Sequence, residues 1–101
     1  MSYSRVQDLV VQKMRDDPDL ALLKLDEIML NLRTGEHDVA KILLRDLVHV
    51  TLGFEELAHQ IDKPSKSLHR MLSARGNPTT SNLSAILACV SQYLEEVHEA
   101  A

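Results

Sequence analysis

Aromatic side chains are scarce: Phe, Tyr and Trp together make up 3% of the 101 residues, and Trp is absent. Hydrophobic residues nevertheless reach 45%, most of them Leu, Val, Ile and Ala. That supply suits helix packed on helix better than a β-sandwich, which needs aromatic and β-branched side chains. Glycine and proline are equally sparse, with three of each. Few points break the chain, and all-α is the expected class. A single cysteine, Cys89, excludes an internal disulfide and points to a reducing compartment. The first residues show no basic region followed by an apolar stretch, so no signal peptide is expected. No apolar run is long enough to cross a bilayer. The expected location is cytoplasmic, with no membrane partner.

Chemistry is equally thin. There is no Gly-rich phosphate loop and no nucleophile elbow, so an enzyme is not expected. Five histidines occur, His37, His49, His59, His69 and His98, and no two are four apart. With one thiol and no paired imidazoles, neither a metal nor a cofactor is expected. Carboxylates cluster at Asp16, Asp17 and Asp19, where they suit the start of a helix. Asp26-Glu27 and Glu55-Glu56 read as solvated helix positions. Cys89 reads as a half-buried small hydrophobe.

Net charge is −4, which taken alone argues against nucleic acid. Its distribution is uneven. Between Lys63 and Leu94 there is no Asp or Glu, while Lys63, Lys66, Arg70 and Arg75 lie inside that span. Glu95, Glu96 and Glu99 follow it, and every other carboxylate precedes it. The basic, acid-free stretch has to be read locally.

Hydrophobic spacing predicts six helices. Val6, Leu9, Val10 and Met14 form one face of a helix from Ser4 to Asp16, ended by Asp17-Pro18. A second runs from Pro18 to about Arg33 through Leu22, Leu25, Met29 and Leu32, and Gly35 stops it. It is apolar almost all round, implying burial on more than one side, in a core or a dimer interface. The third spans Glu36 to Val50, with Val39, Ile42, Leu43, Leu47 and Val50 on one face, before the break Thr51-Leu52-Gly53. A short pair follows, Glu55–Ile61 and Ser65–Ala74. The sixth spans Thr80 to Val97 on the stripe Leu83, Ile86, Leu87, Val90, Leu94 and Val97. Pro78 with Thr79 or Thr80 starts it. Residues 95–101 are expected to fray. Residues 1–34 then read as an N-terminal helical arm for packing or dimerisation, and residues 35–97 as a second unit.

The short pair carries the functional reading. Leu57 and Ile61 face inward from its first helix, and Leu68, Met71 and Leu72 from its second. Ala58 lies at the crossing, where a small side chain lets the backbones approach. Asp62 fills a turn position that takes left-handed geometry, which Asp tolerates better than most residues. Pro64 fixes the chain ahead of the second helix. By elimination the outer face of that helix holds Ser65, Lys66, His69, Arg70 and Ser73, with no carboxylate among them. A helix lying in the major groove needs that composition, donors and acceptors for base edges and positive charge for phosphates. Arg70 suits bidentate reading of guanine. Lys66 and His69 suit a base or a phosphate, and Ser65 suits a phosphate at the helix N-terminus. Lys63 precedes the helix. The segment Arg75-Gly76-Asn77-Pro78-Thr79 fits a loop on the phosphate backbone, or a plain helix connector. The candidate DNA-binding residues are therefore Ser65, Lys66, His69, Arg70, Ser73, Lys63, Arg75, Asn77 and Thr79.

These residues resemble a helix-turn-helix unit of the Cro/lambda-repressor type. More narrowly, the chain is similar to the addiction-module antidote proteins, the HigA-like antitoxins. The resemblance is carried by Asp17-Pro18-Asp19-Leu20, by Leu44-Arg45-Asp46-Leu47, by Leu57-Ala58 and by the run Lys66-Ser67-Leu68-His69-Arg70-Met71-Leu72-Ser73. Gly76-Asn77-Pro78-Thr79 and Asn82-Leu83 complete it, over residues 17–92. It implies a compact helical bundle, a homodimer on double-stranded DNA at a palindromic operator, and autorepression. For antidote members it also implies neutralising a RelE-type toxin. Three positions depart from the pattern. Phe54 stands where many such domains carry a phosphate-contacting Gln, Asp62 replaces the turn Gly, and Pro64 replaces a capping Ser or Thr. Three readings follow: a dimeric DNA-binding autorepressor, an antitoxin whose main task is covering its toxin, or a structural helical bundle without DNA affinity.

Overall fold

A computed structural model describes the backbone of residues 3–100 and the side chains of residue 6 and residues 8–100. The described chain is all-α: α1 (Tyr3–Asp16), α2 (Pro18–Arg33), α3 (His37–Val50), α4 (Gly53–Ile61), α5 (Ser65–Met71) and α6 (Thr80–Ala100). Its radius of gyration, 13.0 Å, is that of one compact domain of this length. No helix among the described residues is long and apolar enough to cross a membrane.

The helix ends follow local chemistry. Asp17 caps α2, its Oδ1 accepting from the Asp19 amide at 3.0 Å, and Pro18 takes the first helical position, where no N–H is needed. At the other end Gly35 turns left-handed at φ 85°. The Glu36 amide then reaches back to the Asn31 carbonyl at 2.7 Å, and the Gly35 amide to Leu32 at 3.3 Å. That is the Schellman closure expected of a glycine stop. Thr51 ends α3 by turning its hydroxyl onto the Leu47 carbonyl at 2.7 Å. Asp62 ends α4 at φ 54° and ψ 52°, the left-handed geometry read from the sequence. The Lys63 amide closes this turn on the Ala58 carbonyl at 3.1 Å.

One apolar core joins all six helices. Met14, Ile28, Leu44, Leu47, Leu57, Leu68, Ile86 and Val90 belong to it, so residues 1–34 contribute to the same cluster as the rest. α2 lies against α1, α3 and α6, and α4 against α3, α5 and α6. Burying a leucine of this kind fully contributes about 1.5–3 kcal/mol.

The inward stripes of the first three helices agree with expectation only in part: Val10, Leu22, Leu25, Leu32, Leu43 and Val50 pack half-buried against the core as read. In α3 the buried apolar residues are Ala40, Leu44, Leu47 and Val48, while Val39 and Ile42 are exposed. In α1 Met14 is buried but Val6 and Leu9 face solvent. In α2 Ala21 and Ile28 are buried but Leu23, Met29 and Leu30 are exposed. A helix with apolar residues on several sides offers more than one stripe. Which one turns inward depends on the neighbours that cover it, and periodicity does not encode them. The stripes of α4, α5 and α6 are as read: Leu57, Leu68, Leu72, Ile86, Val90 and Leu94 are buried, and Ile61, Met71, Leu83, Leu87 and Val97 are half-buried.

Two ends also move. α5 stops at Met71 rather than Ala74, because the Ser73 hydroxyl and amide both turn back to the Arg70 carbonyl, at 2.7 and 3.2 Å. α6 continues helically through Ala100 instead of fraying from Glu95, and Ala101 lies outside the described residues. Leu94 is buried and Val97 half-buried, so the last turns still rest on the core. His98 Nδ1 lies 3.4 Å from Asp19 Oδ1 at the start of α2, an exposed pair of little energetic weight.

Candidate nucleic-acid interface

α4 and α5 are joined by Asp62, Lys63 and Pro64. Pro64 is extended at φ −61° and ψ 138°, and its carbonyl accepts the first bonds of α5, from the Ser67 and Leu68 amides. The pyrrolidine has no side-chain oxygen to cap the helix, so the amides at its start stay uncapped by that residue. Leu68 and Leu72 anchor α5 in the core at 0% and 1% exposure. The rest of α5 is consequently a surface.

That surface holds most of the sequence candidates. Lys66, His69 and Arg70 are exposed, Ser65 is half-buried at the first turn, and Lys63 is half-buried in the connection. Arg75 and Asn77 are exposed on the following loop. A hollow of about 350 Å³ lies between helix and loop, lined by Ser67, Arg70, Met71, Arg75, Gly76 and Asn77. Two guanidinium-bearing residues, a hydroxyl and an amide therefore share one concavity. This gives hydrogen-bond donors at a site large enough for a phosphate group. Ser67 was not among the sequence candidates. It belongs to neither face named for this helix, and the return of the loop brings it into the hollow.

Three candidates have further duties. His69 stacks on Phe54, with ring centroids 3.9 Å apart and planes 20° apart, and His49 meets the same Phe54 edge-on at 5.8 Å. Phe54 is itself buried, at 5% exposure. Its ring thus meets one imidazole from α3 and one from α5. Ser73 lies beyond the end of α5, and its hydroxyl donates to the Arg70 carbonyl at 2.7 Å, an exposed bond that closes the last turn of the helix. Thr79 caps α6, its Oγ1 accepting from the Asn82 amide at 3.1 Å, which settles the choice between Thr79 and Thr80.

Lys41 escaped the sequence reading. Its side chain is buried and its Nζ donates to the Gly76 carbonyl at 2.6 Å and the Ala74 carbonyl at 3.2 Å. A signal was there: Lys41, Leu44 and Val48 share one face of α3, so an inward Leu44 brings Lys41 with it. Gly76 complements it from the other side. A Cβ there would overlap the carbonyls of Arg70 and Met71, so only glycine fits against the end of α5.

No cluster of three or more potential metal ligands occurs among the described residues. Cys89 is half-buried on α6, and burial pushes its thiol above the usual range. Comparison with protein-family models, with curated proteins and with solved structures returns no match.

Proposed function

We propose that this chain is a sequence-specific DNA-binding transcriptional regulator, acting in the cytoplasm as a homodimer on a palindromic operator and repressing its own promoter. The observation that carries the reading is the acid-free exposed face of α5, which holds Lys66, His69 and Arg70, with Arg70 sharing one hollow with Arg75 and Asn77. In this reading the α4–turn–α5 pair is a helix-turn-helix with α5 as the recognition helix. Lys66 and Arg70 enter the major groove, and the 75–77 loop follows the adjacent phosphates. α4 adds no Lys or Arg, and its first turn carries exposed Glu55 and Glu56, so the phosphate contacts fall to α5 and the loop. Selection of bound sites from random duplex DNA tests the proposal. A palindromic motif whose affinity falls steeply with salt is the expected result. Failure to retain any duplex at low salt overturns it.

A second reading is favoured by one observation on the other side of the chain. Leu23 and Leu30 are seven residues apart on α2 and lie 63% and 47% exposed, with Asp26 exposed between them. An apolar stripe with acidic neighbours suits a small basic partner, as an antitoxin of a RelE-type toxin would need, with DNA binding secondary. Titration of the chain with the product of a neighbouring small basic reading frame decides this. Loss of that complex in Leu23→Asp, with DNA binding intact, is the expected result.

A further inference from the structure

We propose that Lys41 is a positioning residue of the interface: its buried ammonium latches the 74–77 loop onto α3 and so sets where Arg75 and Asn77 stand relative to Arg70. The latch rests on geometry alone, and its consequence for DNA rests on the reading above.

A lysine buried to 8% exposure is costly unless its donors are met. Here two of the three have hydrogen-bond partners, and a carboxylate lies nearby. Nζ donates to the Gly76 and Ala74 carbonyls at 2.6 and 3.2 Å, and Asp38 Oδ1 lies 3.4 Å away. Asp38 is exposed and contributes little to the hold, so the two carbonyls carry it. They belong to the residues on either side of Arg75. With both neighbours tied inward, Arg75 has its backbone fixed while its side chain stays exposed. From the opposite side the Gly76 amide donates to the Ser73 carbonyl at 3.0 Å, and its missing Cβ lets the loop press on the last carbonyls of α5. The loop is thus clamped between α3 and the end of α5. Without the clamp, a segment of small and polar residues has little buried apolar surface to order it.

Lys41→Met keeps the aliphatic stem and removes the donors. Trypsin cleavage after Arg75 reads the loop without DNA, and it is expected to quicken about tenfold while cuts elsewhere keep their rates. In DNA binding, the slope of log affinity against log salt is expected to fall in magnitude by about one, as the Arg75 phosphate contact is lost. Gly76→Ala displaces the same loop with no change of charge. A matching fall there assigns the effect to position rather than to the missing cation. Lys41→Arg keeps a cation with donors and is expected to restore part of both readouts. If Lys41→Met does not fold by circular dichroism, Gly76→Ala and Lys41→Arg carry the same two measurements. Unchanged cleavage after Arg75 in the folded variants overturns the latch. Faster cleavage with an unchanged salt slope overturns the positioning role. A wild-type chain that binds no duplex overturns the DNA reading, and the proteolysis result still decides the latch.

Discussion

Phe54 and His69 lie face to face, with ring centroids 3.9 Å apart and planes 20° apart. The contact ties the first turn of α4 to the exposed side of α5 and restricts the imidazole of a candidate DNA-contacting residue. Because Phe54 is buried, Phe54→Ala is expected to cost about 3–5 kcal/mol, a large share of a small domain's margin. Phe54→Leu keeps most of the volume and is expected to cost about 1 kcal/mol while releasing the ring. Urea denaturation measures the first effect. Loss of nuclear Overhauser contacts between positions 54 and 69 measures the second.

Arg70 is exposed, and its side chain is not needed to hold the core. Arg70→Ala is expected to melt within about 4 °C of wild type, since surface changes of this kind stay within about 0.5 kcal/mol. Specific DNA binding is expected to weaken by about 1–3 kcal/mol, with relaxed preference at one base position per half-site. Operator affinity equal to wild type removes Arg70 from the reading.

Asp62 holds a left-handed backbone at φ 54°, a region that favours glycine. Asp62→Gly is expected to raise stability by about 0.5–1 kcal/mol, because glycine meets no Cβ penalty there. It also deletes a carboxylate next to Lys63, so nonspecific DNA affinity at low salt is expected to rise slightly. Asp62→Val is expected to lose more than about 1 kcal/mol, since a β-branched side chain is poorly tolerated in this region. Denaturation midpoints of the two variants bracket the wild type.

Cys89 has its thiol raised by burial, so the folded state holds that proton more tightly than the unfolded chain does. The related stability is fully present below the ordinary thiol range and is lost as pH rises through the raised folded value. Cys89→Ser is therefore expected to lose less stability than wild type between neutral and strongly alkaline pH. In the native protein, alkylation of Cys89 is expected to lag a free cysteine at neutral pH and to catch up on unfolding.

Local chemistry was legible wherever a few neighbouring residues suffice. Asp17-Pro18 starts α2, Gly35 stops it, Asp62 turns left-handed and Thr79 caps α6, each through bonds spanning no more than six residues. The inward faces of α4, α5 and α6 were legible because each offers a single strong apolar stripe. Those of α1, α2 and α3 were legible only in part, because apolar residues such as Val39, Ile42, Leu23 and Leu9 compete with the residues that are buried. Lys41 was missed for a related reason: a lysine in a helix reads as solvated until a distant carbonyl is seen to receive it.

The exposed face of α5 shows the division most closely. By itself the sequence determined that Ser65, Lys66, His69 and Arg70 share an acid-free side of a short helix, because helical periodicity and charge are written in neighbouring residues. Tertiary structure alone decided that His69 rests on Phe54 and that Ser67, Arg70, Arg75 and Asn77 border one hollow. It also decided that Lys41 holds the loop, a bond between residues 35 apart in the chain. Such contacts depend on how α3 is rotated and covered, and that rotation is set by the packing of the whole core.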